Sequence, residues 1–218
     1  MNSPPPLNVR VWADFACFTR PEMKVERVTY PVMTPSAACG VLESIFWKPE
    51  FVWRVEEIQV LKPVRYYSIL RNEVNSRQSE RSARGWQTRG SGGYDATSDR
   101  AQRHTLALRD VAYVIRAQVD LRDGVSEDPA KYRDQFRRRV ESGRCFATPY
   151  LGCREFSAAF GPATGDEEPI DVTEDLGPML LEIEYAPDRS GAGSPRFFDA
   201  RLEHGVLRVP SPVAAGGA

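Results

Sequence analysis

The spacing of apolar residues changes along this chain in a fixed order, and that order limits the fold more than any single motif. Residues 7–15 alternate, with Leu7, Val9, Val11, Ala13 and Phe15 on one face and Arg10, Trp12 and Asp14 on the other. A period of two predicts a half-buried strand. Over residues 34–47 the spacing turns helical. Ala38, Val41, Leu42 and Ile45 fall at i, i+3, i+4 and i+7, one apolar stripe. Thr34 can cap that helix, Pro35 suits its first position, and Pro49 stops it. Residues 51–61 predict a strand in which Phe51, Trp53 and Val55 share a face before the pattern shifts to Ile58 and Val60. The shift predicts a bulge near Glu56–Glu57. A strand over 105–119 follows, with Leu106, Leu108, Val111, Tyr113 and Ile115. The next helix, over 129–142, starts at Asp128–Pro129, ends at Gly143 and repeats Tyr132, Phe136 and Val140. A further strand is expected over 148–160.

This order is the βαββαβ plan of the ferredoxin-like fold, which the RNA-recognition motif shares. An α+β domain over residues 1–158 is therefore expected. It is interrupted by a long polar stretch at 71–104 with seven arginines, among them Arg84, Arg89 and Arg103, four glycines, Trp86 and Tyr94. A loop of that length in a compact domain is functional or flexible. Arginine with aromatics can clamp phosphates and stack on bases. Strands over 176–185 and 196–209, around a turn at 187–191, predict a small C-terminal antiparallel β-sheet over 159–218. No internal repeat is visible.

The net charge of −1 conceals a split. Residues 71–154 carry 17 Lys+Arg against 11 Asp+Glu, and residues 155–218 carry 4 against 12. A basic middle suits a polyanionic partner, although two unlike solvated surfaces would give the same count. No apolar run approaches the roughly 20 residues that cross a bilayer. The first seven residues lack a basic start and an apolar core, so no secretory signal, no membrane association and a cytoplasmic location are expected. Cys17, Cys39, Cys145 and Cys153 are expected as free, mostly buried thiols, since no pair has zinc-knuckle spacing.

Five ordered stretches carry a resemblance. They are Phe15–Thr19 with Pro21, Tyr30–Ser36, Glu43-Ser-Ile-Phe-Trp-Lys-Pro49, Leu108–Val114, and Pro149-Tyr-Leu-Gly-Cys-Arg-Glu-Phe156. Together they resemble the Dvulg-type, subtype I-C branch of the CRISPR-associated Cas-five family, over roughly residues 7–160. The resemblance implies a ferredoxin-like body with a protruding hairpin insertion and a small C-terminal sheet. It implies binding of CRISPR repeat RNA as precursor and as mature crRNA, and metal-independent cleavage 3′ of the stem-loop base with no cofactor. It also implies retention of the 5′ handle beside other Cascade subunits, and non-specific contact with double-stranded DNA. A non-catalytic handle-binding subunit is the alternative that the wider family offers.

The family's catalytic trio is a Tyr, a Lys and a His. Here Phe46 stands at the Tyr, Lys131 at the Lys and Tyr132 at the His, so one of three matches. Metal-independent cleavage needs the RNA's own 2′-hydroxyl held in line, a proton acceptor, and stabilisation of the phosphorane. Lys131 is the candidate for that charge, near a helix N-terminus that also favours anions; otherwise it is an exposed surface lysine. Tyr132 can exchange a proton or pack. Phe46 can only stack or pack. His104 borders the arginine-rich stretch and is the one histidine placed to replace the missing base. Arg10, Trp12, Trp47, Lys48, Arg84, Arg89, Arg103 and Arg138 are the candidate RNA contacts. No tight acidic cluster in the basic region suggests a metal.

Overall fold

The structure, a computed structural model, describes residues 4–23, 25–185 and 193–211. Its first strand, β1 (Leu7–Ala16), buries Leu7, Val9 and Val11 and exposes Asn8, Arg10 and Trp12, as alternation requires. A two-residue strand, β2 (Arg27–Val28), precedes helix α1 (Pro35–Ile45). The Thr34 hydroxyl accepts from the Ala37 N–H at 3.2 Å, which satisfies one of the helix's orphan donors. The buried stripe of α1 includes Ala38, Val41, Leu42 and Ile45. Strand β3 (Phe51–Val60) pairs with a later strand in a register that shifts between Val55 and Glu57. The bulge at Glu56 keeps both Val55 and Ile58 pointed into the core despite their odd spacing.

The polar stretch at 71–104 is ordered into an arm. Strand β4 (Tyr66–Val74) runs up it, helix α2 (Glu80–Arg89) caps it, and strand β5 (Arg100–Leu121) returns. The arm begins five residues before the expected boundary, and β5 begins five residues before the expected strand. The reason is energetic. Alternation reports burial of one face, whereas α2 buries no side chain and β4 is exposed or half-buried throughout. Its pairing leaves no apolar signature in the sequence.

Helix α3 (Pro129–Glu141) is capped by Asp128, whose carboxylate accepts from the Ala130 N–H at 2.8 Å. It buries Tyr132, Phe136 and Val140. The strand expected over 148–160 is mostly turns, and only β6 (Ala159–Pro162) is extended. Leu151 and Cys153 are buried there by packing against the end of β1, not by strand alternation. Three C-terminal strands follow: β7 (Glu174–Tyr185), β8 (Gly193–Glu203) and β9 (Val206–Arg208). The single strand expected over 196–209 is broken by a turn at His204–Gly205, and the turn expected at 187–191 lies outside the described residues.

These strands form a large, almost wholly antiparallel sheet in the order β6-β1-β5-β3-β9-β8-β7, with β2 and β4 pairing onto β5. The expected C-terminal sheet is therefore not separate. β9 pairs with β3, and Met179, Leu180, Ala200, Leu202 and Leu207 sit in the same core as α1 and α3. Among the described residues no helix is long and apolar enough to cross a membrane. All four cysteines are free; Cys17 and Cys153 are buried, Cys39 is half-buried and Cys145 is exposed, so fewer are buried than expected.

One close approach fixes the 148–158 turn. Gly152 has φ +84, and a Cβ there would lie 2.0 Å from the Cys17 carbonyl oxygen. Gly152→Ala adds left-handed strain and an overlap with backbone, and should cost about 2–4 kcal/mol. Urea unfolding measures it: the midpoint should fall at unchanged slope. An unchanged midpoint would show that the turn moves freely away from β1.

Candidate functional site

The start of α3 gathers three polar side chains. Lys131 lies in the first turn, and its ammonium pairs with Glu127, four residues earlier. The Tyr132 hydroxyl donates to the same Glu127 carboxylate at 3.1 Å. The Tyr132 ring is buried against Phe51, centroids 5.3 Å apart, and its hydroxyl reaches the rim where Glu127 stands. Phe51 in turn packs on Phe46 at 5.6 Å. The fold thus joins Phe46 to Tyr132 through Phe51, with the Lys131 ammonium 5.6 Å from the Tyr132 ring.

Phe46 is 1% exposed and carries no polar side-chain atom, so it packs and takes no direct part in chemistry. The polar rim of this cluster is Glu127, Lys131 and the Tyr132 hydroxyl. Hydrogen bonds from Lys131 and Tyr132 hold the Glu127 carboxyl below the usual range. Glu127 holds the Lys131 ammonium above its ordinary value. Burial, then Glu127, pushes the Tyr132 phenol up. At neutral pH Tyr132 is therefore a proton donor and not a base.

A second feature lies where α1 and α3 both end. Trp47 is 52% exposed and Phe146 86% exposed. Phe146 is held by its N–H donating to the Ser44 carbonyl at 2.8 Å. Beside them Gln135, Arg138, Arg139, Ser142, Arg144 and Cys145 line an open hollow of about 700 Å³. Arg139 is fixed, donating to the Ile45 carbonyl at 3.1 Å with its guanidinium 5.4 Å over the Phe46 ring. Lys48, Arg138 and Arg144 are exposed and have no carboxylate partner among the described residues. Free cations beside exposed rings suit phosphates and unstacked bases. Sequence reasoning missed Arg144 and Phe146. The available signal was an aromatic in the polar run directly after the Gly143 helix stop.

The remaining candidates are distributed over other surfaces. Arg10 lies 5.4 Å over the Trp12 ring on the outer side of β1. Arg84 and Arg89 project from α2; Arg84 pairs with Glu80, and Arg89 has no ion-pair partner among the described residues. Arg103 pairs with Glu26 at 3.7 Å and donates to Asn75. The structure does not bring His104 to Lys131. His104 is an exposed residue of the arm, paired opposite Leu70, with its N–H bound to Glu26. Leu121, at the far end of the same strand, pairs with Phe51 beside Tyr132. Seventeen residues separate them along β5, a contour of about 55 Å at ~3.3 Å per residue. Among the described residues no cluster of His, Cys, Asp or Glu could hold a metal ion.

Residues 7–210 match the family described as CRISPR-associated protein (Cas_Cas5). A protein of Thermus thermophilus named CRISPR pre-crRNA endoribonuclease Cas5d is 43% identical over 94% of this chain and 91% of its own length. One of the same name from Mannheimia succiniciproducens is 42% identical over 94% of each chain. Among solved structures, one described as a CRISPR-associated protein superposes with a TM-score of 0.68 over 96% of this chain and 93% of its own, at 21% identity. A chain of a CRISPR RNA-guided surveillance complex superposes at 0.52 over 94% and 90%, at 14% identity. At such identities these two structures show the fold alone.

The Glu127 cluster has a testable titration. Lys131 is raised, so its pairing stabilises fully below the ordinary value of 10.5 and is lost as pH climbs through the higher folded value. Glu127 is lowered, so its contribution holds above 4.5 and is lost as pH falls through the lower folded value. In Glu127→Gln, both Tyr132 and Lys131 should deprotonate at lower pH than in the parent protein, read by NMR titration of the two side chains. Unmoved titrations would mean that the cluster does not persist in solution.

Proposed function

Because this chain belongs to the CRISPR-associated Cas5 family, we propose that it is an endoribonuclease that cuts CRISPR precursor RNA within the repeat and keeps the 5′ handle as a subunit of a surveillance complex. The observation that carries the reading is 42–43% identity, along almost the whole chain, to two proteins named for that activity. The β6-β1-β5-β3 order, with α1 between β1 and β3 and α3 between β5 and β6, supports a ferredoxin-like body whose last strand, β6, runs past the expected boundary at 158. Strands β9, β8 and β7 extend that body's sheet beyond β3.

The proposed chemistry needs no metal. The RNA's 2′-hydroxyl gives its proton to solvent as its oxygen attacks the adjacent phosphorus, the bond to the 5′-oxygen breaks and that oxygen takes up a proton from solvent, and a 2′,3′-cyclic phosphate and a 5′-hydroxyl result. Lys131, aimed by Glu127, stabilises the phosphorane charge. Tyr132, already a donor, gives its hydrogen bond to the departing 5′-oxygen. Lys48, Arg138 and Arg144 hold flanking phosphates, and Trp47 and Phe146 stack on bases. Arg10 and Trp12 offer a further contact on β1. The arm's arginines extend the grip along the RNA, and the same free cations suit non-specific contact with duplex DNA.

In EDTA, purified protein should cut its cognate repeat, and a 2′-deoxy substitution at the cut position should stop it. Activity that survives that substitution but needs magnesium would mean a hydrolytic metal nuclease. Lys131→Ala should slow cutting at least about 100-fold with little change in affinity. His104→Ala should leave the rate within about twofold, since the arm places it far from Lys131. A handle-binding subunit without activity is the second reading, favoured by the burial of Phe46 where the family has a Tyr; a wild type that binds its repeat without cutting would establish it.

Replacing Arg84, Arg89 and Arg103 together by Ala should weaken RNA binding and flatten its dependence on log salt by about 2, at roughly 0.7–0.9 per lost phosphate contact. Arg84 and Arg89 leave a helix that buries no side chain, and a circular dichroism spectrum checks that losing the Arg103–Glu26 pair leaves the arm folded. An unchanged slope would remove the arm from the RNA surface.

A further inference from the structure

Two thiols meet beneath the root of the arm, in a part of the molecule to which the proposed cleavage assigns no role. Cys17 follows β1 directly, and its N–H donates to the Leu151 carbonyl at 3.0 Å. Cys153, two residues after Leu151, places its sulfur 3.9 Å from the Cys17 carbonyl oxygen. Gly152 between them presses on the Cys17 backbone, so no side chain separates the two turns. With Ala107 the two cysteines form a small buried cluster apart from the main core.

A charged ring adjoins this pair. Arg27, on β2, donates to the Cys153 sulfur at 3.4 Å and pairs with Glu73 at 3.3 Å and Glu155 at 3.6 Å. Arg71 bridges the same two carboxylates at 3.0 and 2.5 Å. The guanidinium at the Cys153 sulfur favours its thiolate, the form that reacts with oxidants. Hydrogen bonding with Cys17, then Arg27, holds the Cys153 thiol below its ordinary range, while the Cys17 thiol is pushed up by Cys153 and by burial.

We propose that Cys17 and Cys153 form a peroxide-oxidisable dithiol, in which Cys153 is the attacking sulfur and Cys17 the resolving one. The Cys153 thiolate attacks one oxygen of hydrogen peroxide; an S–O bond forms, the O–O bond breaks, and hydroxide leaves and takes a proton. The Cys17 sulfur then attacks the Cys153 sulfenic acid; an S–S bond forms, the S–O bond breaks, and water leaves with the Cys17 proton. Two thiols lose two electrons, and one peroxide becomes two waters. The crosslink ties the 148–158 turn to the end of β1. It also removes the anionic acceptor of Arg27, at the point where β2 pairs with β5 and the ion-pair ring fastens β4.

The test uses full-length protein carrying Cys145→Ser, because Cys145 and Cys153 share one tryptic peptide. After hydrogen peroxide treatment, thiols are alkylated under denaturing conditions and mapped by mass spectrometry. The expected product links the Cys17 and Cys153 peptides and returns to free thiols with dithiothreitol. Cys39, its thiol pushed up to about 12 chiefly by burial, should remain alkylatable as the internal standard. Arg27→Met should slow crosslinking about tenfold at neutral pH by reducing the thiolate fraction, and Arg27→Lys should recover part of that loss. Sulfinic acid on Cys153 with Cys17 still alkylatable would overturn the pairing. Failure of both to react at peroxide levels that oxidise Cys145 in the parent protein would overturn the site.

Discussion

Strand β5 offers both of its edges to other strands, and the rest of the molecule is arranged along it. On one edge β3 occupies Tyr113–Leu121 and β4 occupies Arg100–Leu108; on the other, β1 takes Leu108–Ala117 and β2 takes Thr105–Leu106. The exchange from β3 to β4 falls at Asp110, which has φ 55 and pairs with Lys62 and Arg65 from the connecting segment. Below that point β5 is buried among aliphatic side chains; above it the arm has little core of its own. A two-stranded hairpin is marginal in water, so the ion pairs at its root, Arg27 and Arg71 with Glu73 and Glu155, and Arg103 with Glu26, have a structural task. The same continuous strand of 22 residues, a contour of about 70 Å at ~3.3 Å per residue, has α2 before its first residue and α3 after its last. A ligand that engages both must be a long polyanion, which an RNA is and a nucleotide is not.

Net charge says little about such a surface; what matters is which cations lack partners. In the acidic C-terminal strands Arg196 is taken by Glu182 and Arg208 by Glu203, so neither is a free cation. On α3 the distribution is polar along the axis. Lys131 in the first turn is taken by Glu127, while Arg138 and Arg139 stand in the last turn, where cations complement the helix dipole. Arg139 is held by the Ile45 carbonyl and orders the corner, leaving Arg138, Arg144 and Lys48 open to solvent.

Elements that bury one face were legible in the sequence. Thr34, Pro35 and the Ala38–Ile45 stripe gave α1, Asp128 and Pro129 gave α3, and the displaced spacing of Val55 and Ile58 gave the bulge in β3. The arm was not legible as strand and helix, because a hairpin exposed on both faces has no apolar period to read. The 148–158 turn failed for the opposite reason: its apolar residues are buried by a close backbone approach that only the Gly152 geometry permits. The joining of β9 to β3 is a long-range pairing, and local patterning carries no trace of it. At the start of α3, Lys131 and Tyr132 were candidates by resemblance alone, whereas their partner Glu127 stood four residues before the lysine, a spacing at which the two can pair. His104 looked near the chemistry only because sequence order says nothing of the 22-residue strand that carries it away.

Phe46, where the resemblance puts the family's Tyr, is explained by its neighbours. Phe46 lies in a chain of aromatic contacts through Phe51 to Tyr132, and the Trp53 indole N–H closes the same corner on the Phe46 carbonyl at 2.9 Å. A buried hydroxyl there would require its own partner; a phenyl ring requires none and packs under the Arg139 guanidinium. The protonic groups near this corner are consequently at its rim, in Glu127, Lys131 and the Tyr132 hydroxyl. A cation held by a carboxylate, with a phenol on the same oxygen, is an arrangement that stabilises a pentacoordinate phosphorus more readily than it removes a proton. The proposed chemistry therefore depends chiefly on positioning the RNA's own 2′-hydroxyl in line, and in that proposal the free cations and exposed rings at the ends of α1 and α3 are the groups that do so.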